Sequence, residues 1–600
     1  MPCILYIICV RREWLSGRAS PCQGEGRGFE SRFALSNSKR PVKGAFYLCL
    51  FFIFGAYMLK TVLAAINAKY IHSCLALYSL RAFCPQYSDS IYIREFNINQ
   101  GRGFIMREIY ADKPDIIGFS CYIWNIGIVT ALVKELKKLL PNLIVILGGP
   151  EVSYDHAGCP ADIIVRGEGE QAFRDIMAFY NDKTGYVTQI MGGGALEMDR
   201  LPFIYAYGAE AFENRIIYYE SSRGCASRCK YCLSSAEGVN IRLLQPERVY
   251  KELKVFLDNH VRQVKFVDRT FNYLPGRAYD IWRFLKENDN GFTNFHFEIA
   301  ADKLTDRDLR LLSDIRKGFF QFEIGVQTTN VSVLKEIKRE SDLSKIKDNV
   351  AALRESGRIH LHLDLIAGLP GEGYSSFRQS FNDVYAMKPD TLQLGFLKLL
   401  KGTALRAEAG RYGLVYEDLP PYEVLKSDAL TFDEICRLKD IEVILEGFFN
   451  AGLAPLTLRY LTCAGAFEFY ERMAAFWRAR GYNLTPRGKM AMYAALREYC
   501  LQTAGIDMSF ALELMRFDLL ARENEKNPPE WLVSKPTPEE RRLYRVYKKQ
   551  MGADAFSIQA FEYDISSWVF GTPVKRRNTL LFRYKNGKGK GIFYEITEGS

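Results

Sequence analysis

The strongest constraint on this chain is a short cysteine-rich segment, residues 223–232, with the sequence RGCASRCKYC. Cys225, Cys229 and Cys232 follow the spacing C-x3-C-x2-C, and the next cysteine along the chain is Cys436. Thiolates on one tight loop can bind an iron–sulfur cluster, which is usually held by four of them. Three thiolates leave one iron open to another ligand, and an open position is typical of a catalytic rather than a structural metal site.

A zinc site is the alternative interpretation of this segment. Zinc prefers four nitrogen or sulfur ligands in two closely spaced pairs. The only nearby histidine, His260, forms no such pair in the sequence. An iron–sulfur cluster is therefore the better interpretation.

Length and composition bound the class of protein. A chain of 600 residues suggests about four domains, and its hydrophobic content of 48% supports large cores. Fourteen cysteines in this length do not make a disulfide scaffold, and cluster ligands need a reducing compartment, so we expect a cytoplasmic protein. The net charge of +10 comes from basic residues that are mostly scattered, which favours a solvated surface over a nucleic-acid partner.

Residues 1–57 differ from the rest of the chain. Glu13–Leu35 is rich in Gly, Arg and Ser and follows neither the helical nor the strand period. Gly28–Arg32 can be encoded by a stretch that reads like the T arm of a transfer-RNA gene, so we expect a spurious or disordered extension ahead of a start at Met58. The apolar run Ala45–Met58 is shorter than the ~20 residues of a spanning helix, and no stable membrane insertion is expected.

Residues 58–195 alternate short apolar strands with helices. This pattern predicts a doubly wound, parallel, flavodoxin-like sheet, whose ligands bind beyond the carboxyl ends of the strands. Two glycine-rich turns follow predicted strands, GGPE at 148–151 and RGEGE at 166–170. Glycine there allows a ligand to approach the backbone closely.

Residues 210–428 continue the alternation with six predicted strand–helix units, and the strand Ile216–Glu220 leads directly into the cysteine loop. Strand followed by metal loop suits the mouth of a barrel. Later strands end in carboxylates, amides or glycine. These chemical groups lie at Asp268, Glu298, Glu323, Gln327 and Gly368.

The cysteine spacing, with the aromatic Tyr231 directly before the last cysteine, resembles the radical S-adenosylmethionine (SAM) superfamily. In that superfamily SAM chelates the open iron of a [4Fe–4S] cluster, and an electron from the reduced cluster cleaves SAM to methionine and a 5′-deoxyadenosyl radical. The resemblance implies a partial (β/α)6 barrel and an electron donor such as flavodoxin or ferredoxin.

The same resemblance implies which residues contact SAM. The stretch FVDRTFN, residues 266–272, occupies the position of the family's second-strand motif, which contacts the SAM amino group. The alternative is that some of the acids pair with Arg223, Arg228 or Arg269 instead. His360 and His362 face one side of a strand and are expected to pack. We expect SAM contacts from Tyr231, Asp268, Glu298, Glu323, Gln327 and Gly368.

The GGPE and RGEGE turns resemble those of the cobalamin-binding domain that precedes many radical SAM barrels. The D-x-H-x-x-G motif that supplies a histidine to cobalt is absent, and His72 lacks an Asp two residues before it. If cobalamin binds, no protein histidine is expected on cobalt; a degenerate domain that binds nothing is the alternative. The expected cobalamin contacts are Ser120, Tyr122, Gly148, Gly149, Glu151, Gly167, Glu168 and Gly169.

Residues 429–600 are predicted to form a mainly helical domain that ends in a β-hairpin, Thr579–Tyr584 and Gly591–Ile596 around Asn586-Gly587. This region resembles an uncharacterised C-terminal domain attached to a subgroup of cobalamin-type radical SAM proteins. It adds nothing to the chemistry that the sequence predicts.

The leading functional prediction is an enzyme that cleaves SAM reductively and methylates or rearranges an unknown substrate with the help of cobalamin. One rival is a methylthiotransferase-like enzyme with a second cluster, for which Cys84, Cys121 and Cys159 are spread in a somewhat similar way. A non-catalytic protein that senses SAM or redox state through its cluster is the other. No catalytic residue beyond the cofactor ligands can be named from the sequence.

Overall fold

The computed structural model describes residues 58–155, 158–207, 215–235, 240–484, 487–551, 554–565, 568, 573–585 and 591–596. The prediction for residues 1–57 lies outside these ranges. Within them, no helix combines the length and the apolar character that crossing a bilayer requires.

The N-terminal domain is a doubly wound parallel sheet. Its strands are β1 Thr61–Asn67, β2 Ile91–Asn97, β3 Ile116–Ser120, β4 Ile144–Gly148, β5 Ile163–Gly167 and β6 Ile190–Gly193. Its helices are α1 Leu75–Ala82, α2 Arg102–Asp112, α3 Ile126–Leu139, α4 Pro150–Ser153 and α5 Glu170–Asp182. The strand order is β2-β1-β3-β4-β5-β6, and every neighbouring pair is parallel.

Helices cover both faces of this sheet. β1 and β3 are buried along their whole length, which is typical of a parallel sheet with two covered faces. Val133 of α3 packs in the core on one face, and Phe173 of α5 packs in the core on the other. The ends of β3, β4 and β5 therefore form the edge where a ligand of this fold can bind.

The central domain is a partial barrel of six parallel strands. The strands are β7 Ile217–Tyr219, β10 Gln263–Phe266, β11 Asn294–Ile299, β12 Phe320–Gln327, β13 His360–Ala367 and β14 Thr391–Phe396, and the small β8 Ser222–Arg223 pairs with β9 Arg242–Leu243. The helices are α6 Pro246–Asp258, α7 Pro275–Glu287, α8 Asp306–Ser313, α9 Val331–Glu336, α10 Leu343–Ser356, α11 Tyr374–Ala386 and α12 Ala404–Ala407. The strand order is β14-β13-β12-β11-β10-β7.

The two faces of the barrel sheet differ in chemistry. Burial alternates residue by residue along β12 and β13, because one face packs against the helices. Phe297 and Phe322 on that face stack around Trp282 of α7. The opposite, concave face carries polar side chains, and the cross-strand register places Glu298 beside Glu323 and Glu323 beside His362.

The C-terminal domain is mainly helical, as predicted, and contains one strand more than the predicted hairpin. After β15 Val415–Tyr416 and β16 Val424–Lys426 its elements are α13 Phe432–Ile444, α14 Pro455–Leu461, α15 Ala466–Ala479, α16 Lys489–Gln502, α17 Met508–Arg522, α18 Pro538–Lys548, β17 Ala555–Tyr563, β18 Lys575–Tyr584 and β19 Ile592–Glu595. β18 and β19 pair antiparallel as expected, and β17 pairs with the other edge of β18. Phe467 of α15 packs edge-on against Tyr374 of α11, which joins this domain to the outside of the barrel.

Candidate active site

The cysteine loop follows β8 and is anchored at its centre by Lys230. The Lys230 backbone N–H donates to the carbonyl of Ile337. Its Nζ lies 2.9 Å from Glu408 Oε2, 2.9 Å from Tyr412 Oη and 3.1 Å from Glu336 Oε1. These contacts reach the end of α9, between β12 and β13, and residues beyond the last barrel strand, and they fix the loop at the mouth of the barrel.

Asp268 anchors the chain just before the cysteine loop. Its carboxylate accepts hydrogen bonds from Ser221 N (2.9 Å), Ser221 Oγ (2.6 Å) and Ser222 Oγ (2.5 Å). Burial raises the pKa of this carboxyl group, which is only 2% exposed. The structure therefore places Asp268 beneath the loop, where its oxygens are already occupied by the protein, and not in the cavity described next.

All three cysteines line one cavity of about 1010 Å³, here called the cluster cavity. Of the predicted SAM contacts, Tyr231, Glu298, Glu323 and Gln327 also line it. Gly368 does not, since a Cβ built there would meet Leu397 and Val424 at 3.6 Å. The structure thus brings four of the six predicted SAM contacts to the cysteines.

Several polar atoms on the wall of the cluster cavity are buried without a hydrogen-bond partner among the described residues, and they include Ser235 Oγ, Gln327 Oε1 and Arg339 Nε. Gln327 also has a φ of +72°, a strained conformation for a residue other than glycine. Strain and unpaired polar atoms are features that persist at functional sites. The donor set therefore fits a polar ligand such as SAM beside the three thiols.

Adjacent carboxylates on the cavity wall have opposite pKa shifts. Burial and the nearby charge of Glu323 raise the pKa of Glu298 to about 7. Burial would raise the pKa of Glu323 too, but His296 and Lys265 lower it to about 2. His296 Nε2 lies 3.0 Å and Lys265 Nζ 3.1 Å from Glu323 Oε2. The cavity therefore holds one carboxylate that is paired with Lys265 and lies beside His296, whose own pKa is lowered by burial, and one that retains a proton near neutral pH.

The residues that line the cluster cavity without having been predicted include Arg269, Thr270, Arg339 and Asp364. Thr270 Oγ1 lies 3.7 Å from Cys225 Sγ, and Arg339 Nη1 lies 3.6 Å from Cys229 Sγ. Arg269 and Thr270 directly follow Asp268 in the motif DRT, so the motif itself was the available signal. His362, predicted to pack, instead lies 3.1 Å from Asp364 Oδ1 through its Nε2.

In the described ranges, no group of three or more His, Cys, Asp or Glu side chains is arranged to hold a single metal ion. In a [4Fe–4S] cluster each thiolate binds a different iron atom, so the sulfurs need not converge on one point. Three thiols spread along the wall of a roomy cavity therefore fit a cluster better than a zinc ion. Their assignment as ligands stays a prediction.

A second cavity, of about 1000 Å³, lies between the carboxyl edge of the first sheet and the barrel; we call it the glycine-lined cavity. Seven of the eight residues predicted for cobalamin line it: Ser120, Tyr122, Gly148, Gly149, Gly167, Glu168 and Gly169. The eighth, Glu151, is buried elsewhere and accepts a hydrogen bond of 2.7 Å from Tyr422 Oη.

Glycines shape this cavity in two ways: one is required by the backbone, and another leaves space open. A Cβ at Gly149, where φ is +112°, would lie 2.6 Å from the carbonyl oxygen of Cys121. At Gly192 a Cβ would meet nothing within 4 Å, so any larger side chain would project into open space. This cradle fits a large ligand that presses on the backbone. No histidine is among the described lining residues, and His72 Nδ1 lies 2.6 Å from Tyr218 Oη.

Arg223 connects the wall of the glycine-lined cavity to the start of the cysteine loop. Its guanidinium lies 2.8 Å from Glu168 and 2.7 Å from Glu170, at the RGEGE turn, and 2.9 Å from Glu220 at the end of β7. The three carboxylates raise the pKa of the guanidinium despite its burial. The turn of the first sheet is thus tied by ion pairs to the residue two positions before Cys225.

Comparison with known families agrees with this division of the chain. Residues 61–177 match the B12 binding domain, and residues 219–384 match the radical SAM superfamily. The chain therefore carries a B12-binding domain and a radical SAM domain. Residues 410–581 match the family described as protein of unknown function, DUF4080. The expected cofactors, a [4Fe–4S] cluster, SAM and cobalamin, are those that these two domains take.

Curated relatives are similar to the chain over part of their length. The chain is 27% identical to the cobalamin-dependent radical SAM methyltransferase TokK of Streptomyces tokunonensis over 45% of each chain. It is 24% identical to a 2-(S-pantetheinyl)-carbapenam-3-carboxylate methyltransferase of Streptantibioticus cattleyicolor, over 61% of this chain and 62% of the relative. The chain thus spans about half to three fifths of the length of these relatives.

A solved structure shares the fold. The cobalamin-dependent SAM radical enzyme OxsB, with aqua-cobalamin bound, superposes with a TM-score of 0.52 at 15% identity, over 79% of this chain and 80% of that one. The predicted fold is confirmed. In chain order it consists of a flavodoxin-like sheet, a partial (β/α)6 barrel and a mainly helical C-terminal domain.

The cysteines proposed for a second cluster do not meet. Cys84 is buried in the core on one face of the first sheet, whereas Cys121 is buried in the core on the opposite face, with Cys159 packed beside it. Because a sheet separates Cys84 from the other two, the three thiols cannot bind one cluster in this arrangement. The geometry disfavours the methylthiotransferase prediction.

Proposed function

We propose that the protein is a cobalamin-dependent radical SAM methyltransferase that acts on a carbon atom of its substrate. The observation that carries the proposal is the pairing of two cavities of about 1010 and 1000 Å³, one lined by the three cysteines and one by the glycine turns, with a shared wall at Arg269. When bound, the cluster and SAM supply a carbon-centred radical, and cobalamin supplies a methyl group. The names of TokK and the carbapenam methyltransferase support this reaction class.

The protein's own residues position these reactants and exclude water. Lys230 fixes the cysteine loop, and Arg223 fixes the RGEGE turn against the same end of the barrel. Glu298 keeps a proton near neutral pH, so it can donate a hydrogen bond inside the cluster cavity, while Glu323 remains an acceptor. Two neighbouring carboxyl groups can in this way recognise different atoms of one ligand.

The electron needed for SAM cleavage comes, in this proposal, from a flavodoxin or ferredoxin. The rim of the cluster cavity carries Arg228, Lys335 and Lys338, all exposed, which suits acidic electron carriers. Thiolate ligands and a low-potential donor both need a reducing compartment, which supports the cytoplasm.

Anaerobic reconstitution with iron, sulfide, SAM and hydroxocobalamin tests the proposal. We expect about four irons per chain, corrinoid absorbance that survives gel filtration, and 5′-deoxyadenosine after reduction. With SAM labelled in its methyl group, the label should appear on the retained corrinoid. About eight irons per chain would favour the methylthiotransferase-like enzyme instead. Binding of SAM and iron without any formation of 5′-deoxyadenosine would favour the non-catalytic sensor.

A further inference from the structure

Arg269 is the one residue that lines both cavities among the described lining residues. It follows β10 directly, between two residues whose roles are already given. Asp268 turns inward to hold Ser221 and Ser222, and Thr270 lies beside Cys225. Arg269 is therefore placed at the seam between the glycine-lined cavity and the cluster cavity, with its side chain exposed.

The charge of Arg269 is not matched by the protein. The other charged residues that line the glycine-lined cavity all have protein partners: Arg223 with Glu168, Glu170 and Glu220, Arg248 with Glu252, and Arg166 with the carbonyl of Ser153. The Arg269 guanidinium makes no hydrogen bond or ion pair within the described part of the chain. Its positive charge is felt by Glu298, whose pKa it partly lowers, but burial of that carboxyl prevails.

The seam is also the place where one substrate atom can be close to the contents of both cavities. Under the proposed function, on which this inference rests, a substrate carbon must face the radical from one cavity and the methyl group from the other. A substrate held there is in reach of Arg269. Guanidinium is suited to bind carboxylate or phosphate in a bidentate manner, and such charge-assisted pairs are strong.

We propose that Arg269 binds an anionic group of the substrate, a carboxylate or a phosphate ester, and so holds the reacting carbon at the seam between the two cavities. The protein then discriminates against uncharged substrates, because these would leave the guanidinium unpaired. Arg269→Lys keeps the charge but loses the planar fork, so it should retain part of the affinity.

The test uses the reconstituted holoprotein with cobalamin and a SAM analogue bound, and its probes are sodium acetate and methyl phosphate. Calorimetry should detect saturable binding of one of the two anions to the wild type, and which one binds distinguishes carboxylate from phosphate. Arg269→Gln should weaken that binding at least tenfold and Arg269→Lys by less. Lys335→Gln is the matched control, because it removes a positive charge that lines the cluster cavity alone; its affinity should stay within twofold of the wild type.

Three further readouts distinguish binding of a substrate anion by Arg269 from binding of the cobalamin phosphate or of SAM. Iron content, corrinoid retention and 5′-deoxyadenosine formation without substrate should all stay within twofold of the wild type in Arg269→Gln. Loss of corrinoid would mean that Arg269 binds the cobalamin phosphate, and loss of 5′-deoxyadenosine that it binds SAM; either result overturns the inference. So does the absence of saturable anion binding, or an equal loss in Lys335→Gln. A wild type that forms no 5′-deoxyadenosine refutes the proposed function instead, since anion binding is measured independently of turnover.

Discussion

The two six-stranded parallel sheets of this protein use opposite designs. In the first sheet, β1 and β3 are buried along their whole length, so a ligand reaches this sheet mainly through the glycine turns and a few residues at the strand ends, such as Ser120. In the barrel sheet only the phenylalanine face is buried, and the concave face carries Glu298, Glu323 and Asp364 toward a cavity. The same topology thus binds mainly through turns in one domain and offers strand side chains in the other.

The difference explains how each site is built. The glycine-lined cavity obtains its shape from missing side chains, as at Gly149 and Gly192, and most of its charges are neutralised inside the protein. The cluster cavity obtains its chemistry from side chains that the protein leaves unpaired, such as Gln327. One cavity is expected to bind its ligand by shape and the other by polar groups. A mutation in one cavity should therefore affect the cofactor of that cavity and leave the other cofactor bound.

Removal of a cysteine gives the largest expected effect and should be confined to the cluster cavity. Changing Cys225, Cys229 or Cys232 to Ala removes one of three ligands, so iron should fall from about four to below about one per chain. 5′-Deoxyadenosine should become undetectable while corrinoid retention stays within twofold. Cys436→Ala, on α13 of the C-terminal domain, is the control. A cysteine variant that keeps four irons would refute the ligand assignment.

A bulky side chain that fills the glycine-lined cavity should reduce corrinoid binding and leave iron binding unchanged. Gly192→Phe places a ring in open space without backbone strain, so it should lower corrinoid affinity at least tenfold and leave the iron content unchanged. Gly276→Phe is the matched control, because a Cβ there also meets nothing within 4 Å and the residue does not line either cavity. Equilibrium dialysis against hydroxocobalamin measures the difference. Equal corrinoid affinity in both variants would show that this cavity is not the corrinoid site.

Sequence patterns predicted the first design better than the second. The structure brings seven of the eight predicted cobalamin contacts to the glycine-lined cavity, but four of the six predicted SAM contacts to the cluster cavity beside the three cysteines. Strand periodicity also predicted both sheets apart from β6, whose short sequence IMGG gives no such pattern, because alternation or continuous burial of apolar residues is itself the physical cause of the strand. β17 was missed, because its partner β18 is separated from it by a segment that carries no short-turn signal.

The positions of single polar side chains could not be predicted in the same way. Asp268 and Arg269 are neighbours, yet one holds Ser221 and Ser222 beneath the loop and the other faces both cavities. Glu151 bonds to Tyr422, which is 271 residues away. After a strand ends, side-chain direction depends on such distant partners, and period alone does not determine it.

Substitution of Arg223 tests whether the glycine-lined cavity and the cysteine loop depend on each other for stability. Arg223→Gln leaves Glu170 and Glu220 without the cation they share, while Glu168 keeps its ion pair with Arg242, and breaking a buried pair in this way costs about 3 kcal/mol. We expect denaturant unfolding to show this loss, and hydrogen exchange to rise in the RGEGE turn, residues 166–170. Arg354→Gln breaks a more exposed pair with Asp390 and should cost less than about 1 kcal/mol. If the two variants lose the same stability, Arg223 is not the link between the cavity walls.

The smallest expected effect separates Glu298 from Glu323 within the cluster cavity. With a folded pKa of about 7 against 4.5 for the ordinary group, Glu298 keeps its proton in the folded state while the unfolded chain loses it. Wild-type stability should therefore fall as pH rises from about 5 to 7. Because Glu298→Gln removes this loss, its stability relative to the wild type should rise over that window, by on the order of 1 to 2 kcal/mol.

Glu323 should behave in the opposite way. Its pKa of about 2 means that its contribution is fully present above pH 4.5 and is lost only as the pH falls toward 2. Glu323→Gln should therefore be less stable than the wild type between pH 5.5 and 8. Its deficit should narrow only slightly toward pH 7, because the charge of Glu323 is a smaller cause than burial of the raised Glu298 pKa, whereas Glu298→Gln should gain over the full window. Denaturant unfolding of both variants and the wild type at pH 5.5, 7 and 8 measures the two profiles. Parallel profiles would show that the cavity does not distinguish the two carboxylates, and its proposed division into a donor and an acceptor would fail.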